Sequence, residues 1–150
     1  MKRTVFLLLF FLFALLTAAA QAGLAVNAFF DGRYRQRSDA VEVLIRNKRL
    51  DRVTLQVFRS LTVPGEGAEG RAIEAAVLAD AALAAEKETG HRAGRLYYGF
   101  FRLPPAGKKG ASRFIFFRND ALRPGSPPSL TLIYMESAAS MEDMRRTFAR

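Results

Sequence analysis

Two stretches that begin after residue 40 place apolar side chains at every second position. Val41, Val43 and Ile45 recur in this way, which is typical of a β-strand with two different faces. Polar residues 46–49 suit a turn, and a second alternating stretch covers residues 52–63. The pattern therefore predicts a β-hairpin.

A longer segment after the hairpin has the composition of a helix. Residues 68–88 are rich in alanine and charged side chains and contain no proline, which favours a helix. Its apolar stripe consists largely of small side chains, so we expect it to lie close against a sheet. The remaining pattern predicts three strands, at residues 95–103, 113–118 and 130–136, and two short terminal helices, at residues 24–30 and 140–148.

These elements follow one another in the order α-β-β-α-β-β-β-α. Because the links between strands are short, the strands are expected to pair antiparallel. The predicted fold class is α+β, with a single mainly antiparallel sheet of about five strands. The long helix is expected to cover one face of the sheet, and the two terminal helices part of the other face.

Aromatic side chains lie on both sides of the last three predicted strands. Tyr98 and Phe100 alternate with Tyr97 and Phe101, and a strand that is apolar on both sides is buried on both sides. Gly99 is expected to accommodate a bulge or a close neighbour beneath a large ring. The predicted core includes Tyr98, Phe100, Phe114, Phe116, Leu132 and Tyr134.

The first 22 residues have a different pattern, which concerns the destination of the protein. Lys2 and Arg3 precede an unbroken apolar run at residues 5–16, and small side chains follow it. That is the layout of a secretory signal peptide with an A-x-A cleavage site. The run of about 12 residues is shorter than the ~20 that a bilayer-spanning helix needs. We expect cleavage after Ala20, with a cut after Ala22 as the alternative.

This leader predicts the organisation of the whole chain. Residues 1–20 are expected to be the signal peptide and residues 21–150 a single α+β domain, with no transmembrane segment after cleavage. The product is expected in the periplasm or outside the cell. The chain has no cysteine, which excludes disulfides, thiolate metal sites, a cysteine nucleophile and attachment of a lipid to cysteine.

The charge balance adds a hypothesis about partners. The chain carries 23 Lys and Arg against 14 Asp and Glu, and removal of the two basic leader residues would leave 21 against 14, a net charge of +7. Such a balance favours anionic partners, although it is also typical of a solvated basic surface without a specific partner. The candidate anion patch, here called the loop patch, consists of Arg33, Arg35, Arg37, Lys108 and Lys109.

Three further side chains are of types that enzymes use as catalytic groups, but no sequence pattern around them indicates a catalytic site. His91 is the only histidine and is expected in an exposed loop near a helix end. Asp80 lies on the long predicted helix, where we expect it to be solvated rather than buried at a site. Glu136 ends a strand and is expected to be structural. No catalytic, cofactor-binding or metal-ligating residue is therefore predicted, and no cofactor.

Several stretches carry a family resemblance, namely residues 42–45 with 48–50, 58–63, 88–90, 96–101 with 103–105, 114–119 and 132–136. In these stretches the chain resembles a group of small exported proteins of unknown function from bacteria of the Bacteroidota. The resemblance implies a single exported domain. It brings no catalytic residue with it.

The leading hypothesis is a non-enzymatic cell-envelope module that binds an anionic envelope polymer or an envelope protein, with no nucleic-acid partner expected. One alternative is a periplasmic hydrolase whose carboxylate and arginine side chains meet only in the folded chain. Another is a structural accessory that packs against an envelope protein through exposed aromatic side chains.

Overall fold

The protein is built on one six-stranded sheet. The computed structural model describes residues 23–107 and 110–148. The strands are β1 (Val41–Leu50), β2 (Val53–Pro64), β3 (Glu86–Arg92), β4 (Arg95–Leu103), β5 (Ser112–Asn119) and β6 (Ser129–Ser137). They lie in the order β1-β2-β6-β5-β4-β3, and every neighbouring pair is antiparallel. The prediction of an α+β fold with one antiparallel sheet is confirmed, and β1 and β3 are the outer strands.

One face of the sheet, the α1 face, is covered by helix α1 (Gly67–Ala81) and a 3₁₀ helix (Ala25–Phe30). Ile73 and Val77 lie four residues apart, so they share one side of the helix, and both are fully buried. They belong to the same apolar cluster as Phe101 of β4. The prediction that the long helix covers one face is therefore confirmed.

The opposite face, the α2 face, is partly covered by helix α2 (Met141–Phe148). Met144 is fully buried in a cluster with Phe100 and Phe114. Ser140 caps the helix, since its hydroxyl accepts a hydrogen bond from the backbone N–H of Asp143 at 3.1 Å. The N-terminal 3₁₀ helix lies on the α1 face. The expectation that both terminal helices cover the face opposite the long helix is therefore wrong. Within residues 23–107 and 110–148, no helix is long and apolar enough to cross a bilayer.

The predicted aromatic core is present in strands β4, β5 and β6. Five of its six members are buried and Tyr98 is partly buried. A Cβ atom at Gly99 would lie 2.5 Å from Cε2 of Phe101, which is closer than such contacts allow. Glycine is therefore required there by the neighbouring ring, as expected.

The predicted helix at residues 68–88 is too long. Helix α1 ends at Ala81, and the chain enters β3 at Glu86, which pairs with Arg102 of β4. The two strands are joined by Ala93 and Gly94, whose φ angles of 50° and 73° are typical of a tight hairpin turn. Pairing with β4 overrides the helix propensity of the segment, so the sheet has six strands rather than about five.

The first hairpin also differs from its prediction. Residues 46–49 do not form the turn. They belong to β1, which continues to Leu50 and pairs there with Val53. The turn itself is Asp51 and Arg52, and Asn47 adopts a left-handed φ of 51° within the strand. As a result, basic side chains expected in a turn extend along the end of an outer strand.

Candidate functional site

The predicted loop patch lies between the 3₁₀ helix and β1, and its arginines are largely paired. Arg33 makes a two-pronged contact with Asp31, with Nη2 to Oδ2 at 2.8 Å. These hydrogen bonds lower the pKa of Asp31 to about 2 and raise the pKa of Arg33. The guanidinium of Arg33 also lies 5.8 Å from the ring centre of Phe29.

Arg37 is held by two carboxylates. Its Nη2 lies 2.8 Å from Oδ2 of Asp39, and its Nη1 lies 2.6 Å from Oε2 of Glu69 in helix α1. Hydrogen bonds from Asp39 and Glu69 raise the pKa of Arg37, and the contact with Arg37 lowers the pKa of Asp39. Arg37 thus ties the loop to the first turn of α1.

These contacts leave little free charge in the loop. Arg33 and Arg37 are neutralised by neighbours, while Arg35 makes no ion pair with the residues that the structure describes. Lys108 and Lys109 lie outside the described residues. Anion binding by the loop patch therefore stays a prediction, and pairing reduces the charge it offers.

A second basic surface, which the sequence reasoning missed, lies at the end of the β1–β2 hairpin. It consists of Arg46, Lys48, Arg49 and Arg52, here called the hairpin cations. All four side chains are exposed, and none makes an ion pair with another residue of the described part of the chain. Asp51 is the single acidic residue between residues 46 and 52. The run of basic residues is visible in the sequence, where its composition predicts a turn.

The hairpin end faces helix α2 across an open cleft of about 380 Å³. The described lining of the cleft contains acidic and basic side chains. Asp51 and Arg52 lie on the hairpin, and Asp143 and Arg146 lie on the helix. Arg146 is paired with Glu142, one turn earlier on the same helix. Each side of the described lining therefore carries one acidic and one basic side chain, and of the hairpin cations only Arg52 belongs to it.

A polar cluster surrounds Tyr134 on the α1 face. The hydroxyl of Tyr134 donates a hydrogen bond to Oε1 of Glu136 at 2.7 Å. Burial, followed by the carboxylate of Glu136, raises the pKa of Tyr134, and the nearby Arg113 and Arg59 only partly oppose this. In this arrangement the hydroxyl acts as a hydrogen-bond donor to Glu136. Arg113 is itself held by the carbonyl oxygen of Pro104, which accepts a hydrogen bond from Nε at 2.7 Å.

Asp80 has a structural role that contradicts its expected solvation. It is 4% exposed, and its two carboxylate oxygens accept hydrogen bonds from the backbone N–H groups of Ala25 at 2.8 Å and Val26 at 2.9 Å. The first N–H groups of a helix have no partner within it, so Asp80 supplies one for the 3₁₀ helix. The signal was its position three residues after the buried Val77, on the same side of α1.

Glu74 performs a similar task between α1 and β4, and the sequence reasoning did not identify it. Its carboxylate accepts hydrogen bonds from the backbone N–H of Leu96 at 2.9 Å and from Nε of Arg95 at 3.1 Å. The residue is buried. Both buried carboxylates of α1 are therefore used to join elements of the fold.

The three side chains with catalytic chemistry do not converge. His91 lies exposed on the outer strand β3, Glu136 on β6, and Asp80 beneath the 3₁₀ helix. The cleft beside His91, of about 290 Å³, has no carboxylate in its described lining. Among the described residues, no three His, Asp or Glu side chains are grouped as a metal site would require.

Comparison with known protein families matches residues 13–148 to the family described as "Family of unknown function (DUF6108)". The match spans nearly all of the chain. No curated protein and no solved structure gives a significant match.

Proposed function

We infer the activity from the chain's own residues, because the chain belongs to DUF6108, a family of unknown function. We propose that the protein is an exported, non-enzymatic cell-envelope module that binds an anionic polymer through the hairpin cations. The observation that carries the proposal is the exposed, unpaired state of Arg46, Lys48, Arg49 and Arg52.

The leader supports the export part of the proposal. Residues 1–20 combine a basic start, an apolar run too short for a membrane span and small side chains at the end. The resemblance to exported proteins of the Bacteroidota agrees with it. We place the processed domain, residues 21–150, in the periplasm or outside the cell.

Mass analysis of the N-terminus tests export. Protein released by an exporting bacterial host is expected to begin at Gln21, or at Gly23 if the alternative site is used. Recovery of the product in the membrane fraction with Met1 intact would contradict cleavage of the leader.

The hairpin cations suit an anionic polymer better than a small ligand. Arg46 and Arg49 pair with Val57 and Thr54 of β2, whereas Lys48 pairs with Leu55. Val57 and Leu55 belong to the clusters on opposite faces of the sheet, so the cations project on both sides of the hairpin. A flexible chain of anionic groups can reach both sides, whereas a compact ligand would meet only one.

The contrast with the loop patch supports this choice of surface. Arg33 and Arg37 already have carboxylate partners, which an incoming anion would have to displace. The hairpin cations have no such partner among the described residues. An anion therefore gains more at the hairpin for the same number of arginines.

Retention on immobilised heparin or lipopolysaccharide across a salt gradient tests the binding surface. The variant Lys48→Gln/Arg49→Gln/Arg52→Gln is expected to elute at much lower salt than the wild type. Basic residues near an anionic surface contribute roughly 1 kcal/mol each, so the triple variant should bind roughly 100-fold more weakly. Attraction between exposed charges is screened over about 8 Å at physiological ionic strength, so retention should weaken as salt rises.

The matched control is Arg33→Gln/Arg35→Gln/Arg37→Gln, which removes the same formal charge from the loop patch. It is expected to elute close to the wild type. Equal losses in the two variants would contradict a specific role for the hairpin, and absence of retention at low salt would contradict polyanion binding.

The alternative is a hydrolase with carboxylate and arginine side chains, and one place where these residue types meet is the cluster around Tyr134. Glu136, Arg113 and Arg59 are near one another there, but the Glu136 carboxylate already accepts a hydrogen bond from the Tyr134 hydroxyl, and Arg113 is held by the carbonyl oxygen of Pro104. The non-enzymatic proposal is therefore preferred.

A further inference from the structure

The two outer strands of the sheet have opposite characters. β3 presents charged and polar side chains, which protect an open edge from pairing with other chains. β1 instead exposes apolar side chains: Val41 is 61% exposed, Leu44 53%, and Val43 and Ile45 39% each. An outer strand with exposed apolar residues and free backbone groups is a surface for strand pairing.

We propose that β1 pairs antiparallel with β1 of a second copy, about a two-fold axis that passes beside Leu44 perpendicular to the sheet. The two sheets then continue into each other, with the same face of each on the same side. This pairing does not depend on anion binding; it uses Arg46 and leaves Lys48, Arg49 and Arg52 as the hairpin cations open to an anion.

The sequence of β1 is complementary to itself in this register. Glu42 lies opposite Arg46 of the second copy, and the two-fold axis produces this pair twice. On the α2 face, Val43 of one copy lies opposite Ile45 of the other. On the α1 face, Leu44 of one copy lies opposite Leu44 of the other. Opposed charges and opposed apolar side chains both stabilise antiparallel pairs.

The structure gives Glu42 and Arg46 a reason to pair. Oε2 of Glu42 and Nε of Arg59, which is on the neighbouring strand β2, are both shielded from solvent without a hydrogen-bond partner. Arg46 is exposed and makes no ion pair with any described residue. In the proposed dimer each Glu42 carboxylate gains an opposite charge from Arg46 of the other copy, and opposed charges stabilise a cross-strand pair.

A register shifted by two residues fits less well. With Ile45 on the axis, Leu44 would oppose Arg46 and Val43 would oppose Asn47, and Lys48 would not meet Glu42 because it projects from the other face of the sheet. With Val43 on the axis, Glu42 would oppose Leu44. The register centred on Leu44 alone matches apolar with apolar and acid with base.

Single cysteines test the contact, because the chain has none of its own. Directly opposed residues in antiparallel strands have Cα atoms roughly 4.5–5.5 Å apart, within reach of a short bis-maleimide. Leu44→Cys is expected to form a covalent dimer, and Thr89→Cys on the opposite outer strand is expected to remain monomeric. Equal crosslinking of both would overturn the proposal, and stronger crosslinking of Ile45→Cys would overturn the register.

Charge reversal tests the register independently. Glu42→Arg and Arg46→Glu are each expected to raise the dimer dissociation constant at least about tenfold in sedimentation equilibrium, because like charges then oppose each other twice. The double variant Glu42→Arg/Arg46→Glu is expected to restore the dimer. Lys87→Glu, which makes the same charge change on the opposite outer strand β3, should leave the dimer close to the wild type.

Wild-type protein that stays monomeric up to millimolar concentration would overturn self-pairing. A double variant as weak as the single variants would overturn the Glu42–Arg46 pair. Crosslinking and sedimentation are both measured in buffer without polyanion. A protein that dimerises but is not retained on heparin would refute only the proposed function. A protein that is retained on heparin but stays monomeric would refute only the dimer.

Discussion

At the scale of single residues, the buried carboxylates of α1 are the least expected feature. Asp80 binds two backbone N–H groups of the 3₁₀ helix, and Glu74 binds the start of β4. A buried carboxylate is stable only where hydrogen bonds replace its hydration, and here backbone donors do so. The sequence shows that Asp80 lies on the apolar side of the helix, but it does not show that unpaired N–H groups lie opposite.

Replacement of Asp80 is therefore expected to destabilise the fold. Asp80→Ala leaves the N–H groups of Ala25 and Val26 without acceptors, at a cost of about 1–3 kcal/mol in the free energy of unfolding. Urea denaturation followed by circular dichroism measures this change.

The control for Asp80 is Glu66→Ala, at an exposed carboxylate that flanks the same helix and makes no capping hydrogen bond. It is expected to change stability by no more than about 0.5 kcal/mol. If Asp80→Ala were as mild as Glu66→Ala, the hydrogen bonds to the 3₁₀ helix would not be important for stability.

At the scale of elements, the buried strands could be predicted and the outer strands only in part. Strands β4, β5 and β6 are apolar on both sides, and that pattern has few alternatives. β3 has the composition EKETGHR and is strand only because it pairs with β4. The turn residues Ala93 and Gly94 were the available signal, since glycine after a short polar run is typical of hairpins.

Strand β1 is longer than predicted for a similar reason, namely that its end pairs with a neighbouring strand. Residues 46–49 are polar and turn-like in composition, but Leu50 pairs with Val53 and extends the hairpin. Because β1 pairs with β2 as far as Leu50, the basic residues lie on an outer strand and not in the expected turn. The candidate binding surface was missed for this reason, because its position depends on where the strand ends.

At the scale of the whole molecule, the net positive charge is unevenly neutralised. Two of the three arginines in the loop patch lie beside carboxylates, as Arg37 does beside Glu69. On β4 and β5, Arg95 lies beside Glu74 and Arg118 beside Asp120. The hairpin cations do not. The total charge could be read from the sequence, but its distribution depends on which side chains the fold brings together.

The most direct test of anion binding at the hairpin is residue-resolved NMR. ¹⁵N-labelled protein is titrated with a heparin oligosaccharide at low salt, and backbone amide shifts are followed residue by residue. The largest shifts are expected at residues 46–52, and they should shrink as salt is added because exposed charges are screened. Shifts concentrated at residues 31–39 with an unaffected hairpin, or no shifts at low salt, would contradict the proposal.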